Sequence, residues 1–310
     1  MSSIVILGAG GFLGRTLIAN GCFPMPVKAV DLIIPPDADL TKKNILWLGA
    51  DLLTSKSLNE VLQPGDIVIN LAYISGALEA KNILLIDNVI DACIHLRVDR
   101  LVHCSTAVVA GATPISRVNE STLCLPVTSY EKTKWALENR ALSAISRGLD
   151  VGILRPTAIV GPGGQNLLSL ARSLRDGSRI VNYFRAGLFG RRPMHLVPVR
   201  DVAAALLYLA VLPGTLNGEV FIISSDDDPE NNFQGVEKIL LKALGMAPRK
   251  LPLLPFPIRL LSLSLRLWGR SETNMGRIYD SYKIRSIGFK QVDMVAKAVC
   301  EFGEEFIKNQ

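Results

Sequence analysis

Short runs of mostly apolar residues alternate with longer amphipathic segments along the first half of the chain. Short apolar runs are typical of buried strands, and the spacing of apolar positions between them is typical of helices. This alternation predicts an α/β fold, a Rossmann-type doubly wound parallel sheet with helices on both faces. The predicted strands are Ile4–Leu7, Val27–Asp31, Ile45–Leu48, Ile67–Ala72, Arg100–Ser105 and Val151–Leu154, and the predicted helices include 82–96 and 129–147.

The alternation loosens after about residue 161, where loops rich in Gly, Pro and Arg appear, for example over 187–193. We therefore expect an NAD-binding Rossmann domain over 1–160, with returning segments near 195–225. A smaller C-terminal substrate-binding lobe is expected to take most of 161–310. The elements predicted in this half are helices over 201–212, 233–244 and 294–307 and a strand over 220–223.

One apolar segment, Pro257–Trp268, raises the question of membrane contact. It is too short to span a bilayer, and Arg259, Ser262 and Arg266 form a polar stripe at helical spacing. We interpret it as a segment that packs in the core or against a second subunit, with shallow contact at a membrane surface as the alternative.

The composition excludes several functional classes. The net charge of +6 comes from scattered basic residues without interleaved aromatics, so nucleic-acid binding is not expected. Five cysteines without paired spacing argue against a disulfide framework, and the three histidines show no metal-ligand spacing, so no metal is predicted. Because the first strand begins at once and no signal peptide is visible, we expect a cytoplasmic protein.

A glycine-rich turn, Gly8–Gly14, follows the first predicted strand and leads into a helix that includes Phe12 and Leu13. Its spacing is GxxGxxG, with glycines at 8, 11 and 14. Such a strand–turn–helix unit binds the pyrophosphate of a dinucleotide at the helix N-terminus. Asp31 ends the second strand, where an acid accepts hydrogen bonds from the adenosine ribose and repels the extra phosphate of NADP. The predicted cofactor is NAD rather than NADP.

Tyr130 and Lys134 lie one turn apart on a predicted helix and therefore share a face. A nearby ammonium lowers the pKa of a tyrosine, which can then exchange a proton with a hydroxyl or carbonyl. A dinucleotide enzyme that removes hydride from an alcohol carbon needs such a group.

Together these motifs resemble the extended short-chain dehydrogenase/reductases, also called the NAD-dependent epimerase/dehydratase family, over nearly the whole chain. The resemblance implies that Tyr130 is the acid/base, that Lys134 lowers its pKa and holds the nicotinamide ribose, and that Thr106 binds the reacting oxygen. It also implies a homodimer through the catalytic helix. The cofactor positions implied are Gly8, Gly11, Phe12, Leu13, Gly14, Asp31, Asp51, Leu52, Leu71, Ala72, Asn82, Tyr130, Lys134 and Pro156.

The substrate side departs from the family pattern. Ala158 and Ala110 replace a family asparagine and tyrosine, and the loop between Ala72 and Asn82 is short. We expect an anionic substrate, most simply a nucleotide-sugar, because arginine forks suit phosphate. The residues expected to bind it are Thr106, Asn166, Arg191, His195 and Arg200.

Three hypotheses about function remain open at this point. The first is a nucleotide-sugar epimerase or 4-ketoreductase. The second is a dehydrogenase or reductase of a hydrophobic alcohol or ketone, similar to the hydroxysteroid dehydrogenases, and it is favoured by the run from Arg155 to Ala158 and by the Leu-rich segment after Pro252. The third is a dinucleotide-sensing protein without turnover, against which the intact Thr106, Tyr130 and Lys134 argue.

Overall fold

A computed structural model describes residues 2–38, 40–42, 44–247, 249 and 276–309. The strands are β1 (Ile4–Leu7), β2 (Val27–Asp31), β3 (Ile45–Gly49), β4 (Ile67–Asn70), β5 (Arg100–Cys104), β6 (Arg117–Val118), β7 (Val151–Pro156), β8 (Ala158–Val160), β9 (Leu196–Pro198), β10 (Val220–Ile223) and β11 (Ile278–Tyr279). The helices are α1 (Phe12–Asn20), α2 (Ser55–Val61), α3 (Glu79–His95), α4 (Ser129–Ser143), α5 (Leu168–Asp176), α6 (Arg179–Phe189), α7 (Val199–Val211), α8 (Phe233–Ala243), α9 (Tyr282–Ser286) and α10 (Val295–Lys308).

Seven parallel strands form the main sheet in the order β10-β7-β5-β4-β1-β2-β3. The predicted Rossmann-type doubly wound sheet is therefore confirmed. The chain runs outward from β1 in one direction and from β4 in the other, so a crevice opens between the carboxyl ends of these two strands. In sheets of this type, ligands bind in that crevice.

Two apolar layers cover the sheet. Alternate strand residues such as Ile6 and Val102 pack with α1 and α7, and those on the other face, such as Val5 and Leu101, pack with α2, α3 and α4. Cys93 and Cys104 are buried, as expected for core residues. The strand pattern reads as nearly continuous apolar runs because both faces are covered.

A third apolar cluster lies outside the sheet and joins β8 and β9 to α5, α6, α8 and α10. Two short parallel pairs lie beside the main sheet. The first, β8 with β9, belongs to this lobe, and the second joins β6 to β11. Among the described residues no helix combines the length and the hydropathy needed to cross a bilayer.

Some strand boundaries differ from the prediction because contacts elsewhere in the fold end or extend the strand. β4 ends at Asn70 rather than Ala72, because the Asn70 Oδ1 accepts the Ala72 N–H at 3.1 Å and turns the chain. β7 continues to Pro156 because it pairs with β10 as far as Ile223.

Helices α5 and α6 lie in a region for which the sequence predicts no helix. Asn182, Gly187 and Gly190 weaken the helical signal there. Tertiary packing compensates for this weak helical propensity, since Ala186 and the side chain of Asn182 are buried within the lobe. The apolar segment Pro257–Trp268 lies outside the described residues.

Candidate active site

The glycine turn places free backbone N–H groups at the crevice. Gly8 adopts a φ of +83°, and a Cβ at Gly14 would come within 2.5 Å of the Gly8 oxygen, so both positions require glycine. α1 begins at Phe12 without a side-chain cap, which leaves the first N–H groups of the helix for a ligand. This cradle fits a pyrophosphate.

Asp31 closes the side of this cradle. Its Oδ2 accepts the N–H of Gly10 at 2.8 Å, and its Oδ1 accepts the N–H of Leu32 at 2.7 Å. Each carboxylate oxygen keeps further lone pairs, which are free to accept ribose hydroxyls. Gly10 was not predicted as a site residue; its proximity to Asp31 arises from the fold rather than from the glycine spacing.

A cleft of about 830 Å³ extends from the glycine turn over the carboxyl ends of the strands. Its walls include half of the predicted cofactor positions: Gly8, Gly11, Asp31, Asp51, Leu52, Leu71 and Ala72. Its size suits a cofactor, since such sites are typically several hundred Å³.

Buried polar side chains fix the wall formed by 70–82. Asn82 accepts the Ile74 N–H at 2.9 Å and donates to the Ile74 oxygen at 3.1 Å, so its role here is to hold the loop. Asn70 Nδ2 donates to His103 Nδ1 at 3.2 Å. Burial lowers the pKa of His103 to about 3, so the ring is neutral and accepts this hydrogen bond.

Helix α4 presents the predicted catalytic pair. Thr128 and Glu131 form a capping box that fixes its first turn, and Tyr130 lies in that turn with about half of its surface exposed. Lys134 is buried, and its Nζ donates to the Cys104 oxygen at 2.8 Å and lies 5.2 Å from the centroid of the Tyr73 ring. The ammonium therefore reaches the carboxyl end of β5.

Thr106 follows that strand end, two residues after Cys104, and its side chain acts to lower the pKa of Tyr130. Burial outweighs this contribution and raises the pKa of Tyr130 to about 12. The net direction is therefore opposite to the lowered pKa expected from the sequence, and burial of the phenol is the main cause. Burial also lowers the pKa of Lys134.

The remaining predicted cofactor residues occupy different environments. Pro156 is buried at the end of β7, close to the substrate side. The Phe12 ring lies beside Gly163 and Gly164 in the loop that leads into the lobe, and Leu13 packs on the core. Any contact of these two residues with a cofactor would therefore come from their backbone.

The predicted substrate residues of the lobe are mostly engaged within the chain. Arg200 Nη1 contacts Asp293 at 2.8 Å and Glu301 at 2.7 Å, and His195 Nδ1 contacts Asp226 at 2.7 Å. Asn166 donates to the Ile159 oxygen at 2.8 Å, whereas Arg191 is exposed.

Two groups near the catalytic pair were missed by sequence reasoning. Tyr73 packs edge-on against Tyr130 with ring centroids 5.7 Å apart. Arg155 forms a buried ion pair with Glu138, one turn beyond Lys134, which fixes α4 against β7. Glu138 lies four residues after Lys134, so helical spacing was the one signal that could have indicated it.

The chain is similar in sequence to proteins of known class. Sequence identity is 29% to short-chain dehydrogenase/reductase family 42E member 1 of Xenopus laevis, covering 83% of this chain and 71% of that protein. It is 28% to sterol demethylase protein B of Methylococcus capsulatus, covering 72% and 69%.

Solved structures share the fold. A dTDP-glucose 4,6-dehydratase from Bacillus anthracis in complex with NAD superposes with a TM-score of 0.73 at 15% identity, covering 100% of this chain and 97% of that one. A UDP-glucose 4-epimerase from Thermotoga maritima with UDP-glucose gives 0.68 at 18% identity, covering 99% of each chain.

The fold and the Thr106–Tyr130–Lys134 constellation define an extended short-chain dehydrogenase/reductase. Within this class, residues 5–256 match the model of the 3-beta hydroxysteroid dehydrogenase/isomerase family, and the chain belongs to that family.

Proposed function

We propose that this protein is an NAD-dependent dehydrogenase that oxidises the hydroxyl of a hydrophobic, sterol-like alcohol, or reduces the corresponding ketone. The observation that carries the proposal is the neutralisation of the substrate side. Arg200 and His195, two of the residues expected to bind an anionic substrate, already face carboxylates of this chain. Because a neutralised guanidinium attracts phosphate weakly, this arrangement favours an uncharged substrate.

The family and the relatives support the same substrate class. The matched family is named for hydroxysteroid dehydrogenation, and one relative is a sterol demethylase protein. The sequence hypothesis of a hydrophobic alcohol is thus preferred over the nucleotide-sugar hypothesis, which ranked first from the sequence.

Bound NAD would supply the hydride acceptor at its nicotinamide ring. Gly8, Gly11 and Gly14 would hold its pyrophosphate, and Asp31 its adenosine ribose. On the protein side, the Thr106 hydroxyl binds the reacting oxygen and Tyr130 Oη exchanges the proton with it. A tyrosine with a pKa raised to about 12 is protonated at neutral pH, so its resting state suits donation to a ketone oxygen.

Lys134 supports this exchange by charge. Its ammonium lies at the end of β5 beside Thr106, where a positive charge stabilises a developing phenolate on Tyr130. The same group is suited to the nicotinamide ribose hydroxyls once it leaves the Cys104 carbonyl. A homodimer through α4 and a cytoplasmic location remain predictions.

The test is NADH formation from purified protein with NAD⁺ and a panel of probes. We expect turnover with 5α-androstan-3β-ol and none with UDP-glucose, and at least 100-fold less with Tyr130→Phe, since general acid–base groups contribute 10²–10⁴-fold. Tyr130→Phe must still bind NADH, which excludes misfolding.

The second candidate, a nucleotide-sugar epimerase or ketoreductase, is favoured by the exposed Arg191 in the lobe. Conversion of UDP-glucose without net NADH formation, together with failure on the steroid, would establish it instead.

A further inference from the structure

A histidine–aspartate pair lies at the junction of the main sheet and the lobe. His195 Nδ1 is 2.7 Å from Asp226 Oδ2, and that oxygen also accepts the Tyr279 N–H at 2.8 Å. The Asp226 side chain is 1% exposed, whereas that of His195 is 27% exposed. Because Nδ1 faces the buried carboxylate, Nε2 lies on the opposite edge of this partly exposed ring.

The backbone holds this ring in an uncommon conformation. His195 has a φ of +52°, a value that few non-glycine residues adopt and that recurs at functional sites. Its carbonyl accepts the Ala158 N–H at 2.9 Å, and the next residue, Leu196, donates to Asn231 Oδ1 at 3.0 Å. These bonds hold the residue where the chain leaves β7 for the lobe.

The ring is connected to the catalytic region by Tyr279. The two rings meet edge-on with centroids 5.1 Å apart. Tyr279 packs in one cluster with Ala107, the residue after Thr106. His195 therefore lies on the lobe side of the site, with Tyr279 between it and the reacting centre.

The chemistry of the pair fixes which atom can bind a ligand. A carboxylate only accepts hydrogen bonds, so the neutral imidazole carries its proton on Nδ1 and a lone pair on Nε2. The negative charge of Asp226 beside it disfavours an anion and favours a hydrogen-bond donor.

We infer that His195 Nε2 accepts a hydrogen bond from a second hydroxyl of the substrate, distant from the carbon that is oxidised, and that Asp226 orients the ring for it. The inference rests on the proposed function and adds to it a specificity determinant for dihydroxylated, sterol-like substrates.

The test compares two substrates and two variants. His195→Asn keeps a donor towards Asp226, tolerates a positive φ and removes Nε2. His95→Asn replaces an exposed histidine at the end of α3 and is the matched control. The probes are 5α-androstane-3β,17β-diol and 5α-androstan-3β-ol, each with NAD⁺.

For the wild type and for His95→Asn we expect a KM for the diol about tenfold lower than for the mono-ol, the value of one good hydrogen bond. In His195→Asn the KM for the diol should rise to that of the mono-ol in the same variant, so that the tenfold difference between the two substrates is lost. A diol KM that does not change in His195→Asn overturns the inference, because that result is expected if His195 only stabilises the fold.

Failure of the proposed function gives a different outcome. If the wild type oxidises neither steroid, the proposed function fails, and nitrogen NMR of the three histidine imidazoles still tests the pair. A His195 ring protonated at Nδ1 supports the oriented acceptor, whereas a neutral ring protonated at Nε2 overturns it.

Discussion

The cofactor side and the lobe side of this site are built in different ways. Around the glycine turn, the ligand-facing groups are backbone N–H groups at a strand end and a helix start, with Asp31 as the main charged group. On the lobe side, the polar groups are side chains that already bind one another, such as Arg200 with Asp293. The first surface is preformed for a charged, elongated ligand, whereas on the second, charged side chains such as Arg200 are paired within the chain.

The difference indicates how the two halves can vary. A backbone cradle depends on a few glycines and accepts little change, because an added Cβ meets main-chain atoms. Paired side chains in the lobe can be exchanged without loss of the sheet. Substrate choice is therefore expected to depend on the lobe, and cofactor choice on β1, β2 and the turn.

The largest effect is expected at the ion pair that joins the catalytic helix to β7. Glu138→Gln leaves the Arg155 guanidinium buried without its charge partner, which costs about 3–5 kcal/mol of unfolding free energy. Urea denaturation measures it. Asp91→Asn, which removes the exposed pair with Arg147, is the control and should cost about 0.5 kcal/mol or less. Equal effects of the two changes would contradict a structural role for the buried pair.

Gly14→Ala tests the backbone cradle. The new Cβ would lie 2.5 Å from the Gly8 oxygen and 2.7 Å from Ala9, so α1 must move away from the turn. We expect NADH affinity to fall by about 100-fold or more, measured by fluorescence titration, since the helix N-terminus supplies the pyrophosphate contacts.

Gly49→Ala is the matched control at the end of β3, where the nearest atom to the added Cβ is 3.9 Å away. It should bind NADH like the wild type. Unchanged binding by Gly14→Ala would mean that the turn is not the cofactor site.

Asp201 tests how the contacts with residues 292 and 293 hold a buried carboxyl group. Its Oδ1 accepts the N–H groups of Val292 and Asp293, and burial raises its pKa to about 6. The folded state therefore prefers the protonated acid, and stability is lost as the pH rises from about 4 through about 6.

Asp201→Asn removes this loss. Relative to the wild type, the variant should gain about 2 kcal/mol of unfolding free energy between about pH 4 and about pH 7.5. Asp99→Asn, at an exposed aspartate, is the control and should run parallel to the wild type. A parallel profile for Asp201→Asn would contradict the assigned shift.

The smallest effect concerns cofactor choice. Asp31→Ser removes the charge that repels the extra phosphate of NADP, so the preference for NADH over NADPH should fall by about tenfold. Binding titrations with both cofactors measure it. A preference that persists would place cofactor selection elsewhere in the cleft.

The sequence predicts the sheet and the strand–turn–helix at the glycine turn well because both depend on local patterns. Buried strands appear as apolar runs, and the turn requires glycine at Gly8 and Gly14. The lobe is less predictable, since the contacts of His195 with Asp226 and of Arg200 with Asp293 join residues 31 and 93 positions apart. The pKa direction of Tyr130 was wrong for a related reason: helical spacing places Lys134 one turn away but does not show how far the fold buries the phenol.

The most direct test of the proposed dehydrogenase activity follows the transferred hydrogen. The protein is incubated with NAD⁺ and 5α-androstan-3β-ol that carries deuterium on its hydroxyl-bearing carbon, and the cofactor is analysed by mass spectrometry. We expect deuterated NADH and a 3-keto product from the wild type, and neither from Tyr130→Phe. Unlabelled cofactor with intact steroid, alongside conversion of UDP-glucose, would contradict it.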